Sequence, residues 1–206
     1  MRTLVSRIAT LLIVAATGAG CGSSSTDGGT PVLTTVVVTP ATATLFTVAP
    51  GNTATLAAVG KDQDGLTIAA GLPSFSSDND AIAGVGTDGT VTAVAAGTAI
   101  ITASMTAGAV TKTGTATVTA QVAPVSALVT TPTLAFTQAT VDVQAGGAVT
   151  WTFGSTPHTV TFTTAGAPAD VPQLQEGSAS RTFSTHGNFN YHCSIHPQMN
   201  GLVIVH

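Results

Sequence analysis

Charged side chains are scarce in this chain of 206 residues: Asp, Glu, Lys and Arg make up 7% of it, and nine acids outnumber five bases. Such a chain has no basic surface to neutralise phosphates, which excludes nucleic acid as a partner. Aromatics are sparse at 4%, and the whole sequence holds two cysteines, three methionines and five histidines. Long apolar runs are also missing. The most apolar stretch, Ile8 to Ala16, falls well short of the roughly 20 residues that a membrane-spanning helix needs. The positive mean hydropathy comes instead from Ala and Val interleaved with Thr and Gly, which is the pattern of half-buried strands.

The stretch "MRTLVSRIATLLIVAATGAGC" sets Arg2 and Arg7 ahead of that apolar run, as in a secretory signal over residues 1–20. Gly18, Ala19 and Gly20 before Cys21 resemble the lipobox of bacterial lipoproteins, with Gly18 where Leu is usual. The resemblance implies acylation of Cys21 and a membrane anchor, since more than one buried acyl chain holds a protein firmly. Ordinary secretion with cleavage nearby is the alternative. Without the signal, Lys61, Lys112 and Arg181 stand against nine acids. Export favours disulfides, but a lipid on Cys21 leaves Cys193 without a partner. A Cys21–Cys193 disulfide is the competing expectation, and it would tie a flexible tether to the far end of the chain.

Residues 21–31, "CGSSSTDGGTP", read as that tether. Beyond it, short alternating runs such as "TTVVVTP", "GTVTAVAAG" and "TGTATVTAQV" are punctuated by turn residues, including Asp64-Gly65 and Asp88-Gly89. The spacing predicts an all-β chain of two β-sandwich domains in tandem, over residues 32–122 and 125–206, with a linker at "VAPVSA", Val122 to Ala127. Val36 to Val122 resembles the group 2 bacterial Ig-like family, most clearly in "SFSSDNDAIAGVGTDGTVTAVAAGTAIITAS". That resemblance implies a spacer or adhesive unit. The acids of "DQDG", Asp62 to Gly65, lack the glycine and glutamate positions of a calcium loop and are expected in a hairpin turn. Asp78 and Asp80 are expected as loop residues.

In the second domain, Val141 and Val143 fall on one face of a strand. Val149, Trp151 and Phe153 fall on one face of the next, with Gly146-Gly147 as the turn between them. Further on, Phe189, Tyr191 and Cys193 alternate inward and Asn190 and His192 outward. The sequence then runs "YHCSIHPQMNG", so that Cys193, His196 and Met199 form a C-x2-H-x2-M loop able to curl three side chains toward one point. His158 in "STPHTV" is the candidate fourth ligand. Two imidazoles, a thiolate and a weak axial thioether are the donors of a type 1 copper site. Zinc also takes Cys and His, but methionine argues against it.

Val125 to His206 resembles a small cupredoxin of the plastocyanin and amicyanin type, carried by "YHCSIHPQMNGLVIV". The resemblance implies one type 1 copper ion held by His158, Cys193, His196 and Met199. Asparagine commonly follows the first histidine in that family and bonds across to the ligand loop. Here it is Thr159, which puts the rigidity of the site in doubt. His186, His192 and His206 are assigned no chemistry. Five histidines are too few for the trinuclear cluster of a multicopper oxidase.

A metal with four protein ligands has no open position for a substrate, so a one-electron carrier is expected rather than an enzyme. The resemblance implies an edge of His196 reaching the surface through a patch of Pro157, Pro197, Gln198 and Met199, where a redox protein would dock briefly. The expectation is an exported, membrane-anchored monomer, with the Ig-like domain holding the copper domain off the membrane. Copper capture or delivery is one alternative. A structural or adhesive surface protein with an accessory copper domain is another.

Overall fold

The computed structural model describes residues 29–206. The signal read over residues 1–20, the acylation expected at Cys21 and most of the tether lie outside the described residues.

Within them the chain is all β, and its eighteen strands enclose two separate cores. The first nine strands are β1 (Thr35–Thr39), β2 (Thr42–Phe46), β3 (Thr53–Thr55), β4 (Ala57–Lys61), β5 (Ser74–Ser77), β6 (Ala83–Val85), β7 (Thr90–Ala93), β8 (Gly97–Ala107) and β9 (Val110–Gln121). Period-two alternation explains the longest pair. In β8, Ala99, Ile101, Ala103 and Met105 are buried, and in β9 so are Ala116, Val118 and Ala120, while the intervening Thr residues face outward. These strands sit at the centre of a sheet ordered β2-β9-β8-β5, with β3-β7-β6 and the β1-β4 pair completing the unit.

The "DQDG" segment is a turn. The Asp62 carboxylate accepts the backbone N–H groups of Asp64 and Leu66, both at 2.9 Å, and Gly65 takes a positive φ of 76°. That carboxylate is spent on the backbone, as in an Asx turn. Asp78 likewise accepts the N–H of Ile100 at 2.7 Å.

The remaining strands are β10 (Ser126–Thr133), β11 (Ala135–Thr137), β12 (Thr140–Val143), β13 (Gly147–Phe153), β14 (His158–Phe162), β15 (Val171–Leu174), β16 (Gly177–Phe183), β17 (Gly187–His192) and β18 (Asn200–Val205). They form two facing sheets, β11-β10-β13-β16 and β12-β18-β17-β14-β15. Gly146, with φ of 85°, makes the expected turn, but not as a hairpin: β12 pairs with β18 and β13 with β10 and β16. The turn carries the chain from one sheet to the other, because Val143 and Val149 face the same interior from opposite sides.

Trp151 lies fully buried at the centre of that interior, its ring edge-on to Tyr191 at 5.4 Å and to Phe162 at 6.0 Å. Gly201 is the cross-strand partner of Tyr191, and a Cβ there would overlap the phenol ring. The strand therefore needs glycine at this point for Tyr191 to lie flat across it.

Candidate metal centre

Strand pairing places the donor atoms. β17 and β18 are antiparallel neighbours with His192 opposite Asn200, so the seven residues between them form a closed loop at one end of the sheet. The loop is pinned by its own backbone: Cys193 N–H donates to the Met199 carbonyl at 3.0 Å, and Met199 N–H to the His196 carbonyl at 2.9 Å. β14 pairs with β17 through Thr161 and His192, which brings His158, the first residue of β14, alongside the thiol.

One ligand atom from each of His158, Cys193 and His196 lies within 4.8 Å of the others. Cys193 Sγ is 3.8 Å from His158 Nδ1 and 3.6 Å from His196 Nδ1, and the two Nδ1 atoms are 3.2 Å apart. Donors bound to one small ion at about 2.0–2.3 Å, at roughly trigonal to tetrahedral angles, stand at such separations. His158 and Cys193 are fully buried, Met199 nearly so, and His196 only partly. The donor set is soft, nitrogen and sulfur only, with no carboxylate among it.

Burial lowers the pKa of His158, the neighbouring His196 lowers it further, and the backbone of Thr133 opposes both. A neutral imidazole, the form that can bind a metal, is thereby favoured. At Cys193 burial acts to raise the pKa. Backbone N–H groups of Thr159, Ile195 and His196, with the Thr159 hydroxyl, outweigh it and hold the thiol below its ordinary value. The thiolate, the form that binds a metal, is thereby easier to reach than at an ordinary cysteine.

Thr159 holds the loop more closely than expected. Its hydroxyl accepts the Ser194 N–H at 2.8 Å and bonds the Ser194 hydroxyl at 2.9 Å, while its own N–H donates to Cys193 Sγ at 3.4 Å. A hydroxyl pair thus does the bridging expected of an amide. Ser194 was not singled out from the sequence, because nothing local marks it as the partner of a residue 35 positions away.

The expected surface patch also changes. Met199 is 2% exposed and faces inward, whereas Ile195, which sequence reasoning passed over, is 39% exposed on the same loop beside the exposed Pro197 and Gln198. His192 is partly exposed, as alternation predicts. His206 is not bland; it is buried and doubly hydrogen-bonded at the opposite end of β18.

Three comparisons bear on this geometry. The model of the copper-binding proteins of the plastocyanin/azurin family matches residues 123–206. No curated protein matches the chain. Among solved structures, the reduced state of an amicyanin variant is 30% identical over 39% of this chain and 82% of its own, with a TM-score of 0.36. The Cu(I) form of another amicyanin variant is 31% identical over 42% and 87%, with a TM-score of 0.37. Amicyanin from Paracoccus versutus is 26% identical over 39% and 81%, with a TM-score of 0.36. Through its second sandwich, residues 123–206, with a Cys-His-Met loop closed against His158, the chain belongs to the plastocyanin/azurin family of copper-binding proteins.

Proposed function

We propose that this protein is an extracytoplasmic carrier of single electrons, with His158, Cys193, His196 and Met199 as the ligands of one type 1 copper ion. When bound there, copper supplies a one-electron couple between Cu(II) and Cu(I). The observation that carries the reading is the mutual approach, within 4.8 Å, of Cys193 Sγ and His196 Nδ1 on a loop already pinned by its backbone and of His158 Nδ1 from β14.

Each residue has a part in such a role. Soft sulfur suits Cu(I) and imidazole suits both oxidation states. Burial of three of the four side chains excludes water and, with it, a position for substrate, which favours a carrier over an enzyme. The hydrogen bonds to Cys193 Sγ and the loop bonds through Thr159 resist rearrangement when the charge of the site changes. His196 is the ligand nearest solvent, and Ile195, Pro197 and Gln198 around it offer a small, uncharged docking area for a transient redox protein. In the remainder of the reading, the signal directs export, Cys21 carries lipid, and the first sandwich is an Ig-like spacer that holds the copper domain away from the membrane.

The test is to add Cu(II) to the reduced, metal-free protein and record its visible spectrum. An intense blue thiolate-to-copper band is expected, together with reversible one-electron reduction. A colourless complex in the parent protein overturns the assignment.

A further inference from the structure

His206 follows β18, at the end of the strand away from the ligand loop. The six residues of β18, at about 3.3 Å each, separate it from Met199 by roughly 20 Å, so it touches no ligand. Its backbone belongs to the second sandwich, with its N–H on the Val143 carbonyl and its carbonyl accepting the Ala145 N–H. Its ring, however, reaches the first sandwich. Nδ1 lies in hydrogen-bond contact with the Pro50 carbonyl, Nε2 lies 2.7 Å from Asp142 Oδ1, and the imidazole stacks on Phe46 at 3.8 Å between centroids.

The proton count at this ring is decisive. The Pro50 carbonyl only accepts, and an ionised Asp142 only accepts, so both ring nitrogens donate and the imidazole carries both protons. We infer that His206 is a proton-dependent clasp between the two sandwiches, closed while the ring is an imidazolium and opened by its deprotonation. When one proton leaves, the other stays on Nε2, because a carboxylate is a stronger acceptor than an amide carbonyl. The Nδ1 lone pair then faces the Pro50 oxygen, and the only hydrogen bond the ring makes to the first sandwich becomes a repulsion. Asp142, on the same sandwich as His206, is what forces this outcome. The other residues lining the cleft at the ring, Thr44, Phe46, Pro50 and Gly51 from one side and Asn188 and Ile204 from the other, carry no charged or titrating side chain.

The clasp sits at the pole opposite the metal centre. It sets whether the copper-binding sandwich moves as one body with its neighbour or swings on the short connection Val122 to Val125. None of its contacts involves a residue of the metal centre.

Residual dipolar couplings of the intact, metal-free chain, recorded over a pH series from mildly acidic to alkaline, test the inference. Imidazole nitrogen shifts report the His206 protonation in the same samples. At the lowest pH both sandwiches should fit one alignment tensor, and as His206 loses its second proton they should require two. Asp142→Asn should abolish the change, because the amide donates to Nε2 and leaves the remaining proton on Nδ1 for Pro50. His206→Phe keeps the stacking on Phe46 but should require two tensors at every pH. A single tensor throughout the titration of the parent chain overturns the clasp. So do two tensors at the lowest pH, an unchanged pH dependence in Asp142→Asn, or a single tensor in His206→Phe.

Discussion

The first sandwich fills its interior with Ala83, Ala93, Ala99, Ala103, Ala116 and Ala120 among Val, Leu and Ile, whereas the second is built on Trp151, Tyr191, Phe136, Phe153, Phe183 and Phe189. Small side chains let sheets approach closely and are satisfied by many arrangements that keep the volume constant. Aromatic rings meeting edge to face at 5.0–6.0 Å fix one another in position. Only the second kind of core lies beneath a loop whose donor atoms must converge on one ion. The contrast teaches where a protein with few aromatics spends them: under the metal centre.

The sharpest break in this comparison is Cys193→Ser, which removes the thiolate and should abolish the visible copper band altogether. The fold of both sandwiches should survive, since the replaced side chain is small. Retention of a blue band in the variant would move the metal elsewhere. Next in size is the pair Trp151→Ala and Ile101→Ala. Truncating a buried Trp costs about 3–5 kcal/mol and a buried Ile about 2–5 kcal/mol. Amide exchange, read sandwich by sandwich, should show each loss confined to its own core, and equal loosening of both by either variant would mean that the cores are one cooperative unit.

A third difference is built into the single tyrosine. Burial pushes the Tyr191 phenol up to about 12, with the Trp151 side chain opposing slightly. The folded chain keeps a proton that the unfolded chain releases near pH 10, so the unfolded state binds fewer protons above that point and stability falls as pH rises from about 10 to about 12. The total is on the order of 2–3 kcal/mol. Denaturant unfolding at the two ends of that window should show the loss in the second sandwich, and Tyr191→Phe should remove it.

Much of this was legible in the sequence because it is local. Alternation in β8, β9 and β17 is uninterrupted, so inward and outward residues could be assigned singly, and Cys193, His196 and Met199 carry their own spacing. What escaped depends on residues far apart in the chain. Gly146 reads as a turn, but whether the strands beside it pair or face each other is decided by β18 and β10. Met199 reads both as a ligand and as part of the surface patch, and the hydrogen bonds that curl the loop turn it inward, away from the patch. His206 reads as a bland last residue, and its partners Pro50 and Asp142 lie 156 and 64 positions away.

The smallest expected effect tests the bond between two such distant residues. Thr159→Val keeps the shape of the side chain and removes its hydroxyl, so the Ser194 N–H loses the acceptor it has at 2.8 Å and the Ser194 hydroxyl its partner at 2.9 Å. An unsatisfied, partly buried donor costs about 1–2 kcal/mol, less than any core truncation. The Thr159 N–H to Cys193 Sγ is backbone and survives the change, so copper should still bind. The loop should instead become more mobile: faster exchange at Ser194 and Ile195, and a shifted band position in the copper form. Thr159→Ser should restore both, because the hydroxyl returns. If Val and Ser behave alike, shape alone holds the ligand loop, and the second sandwich then relies on packing as fully as the first.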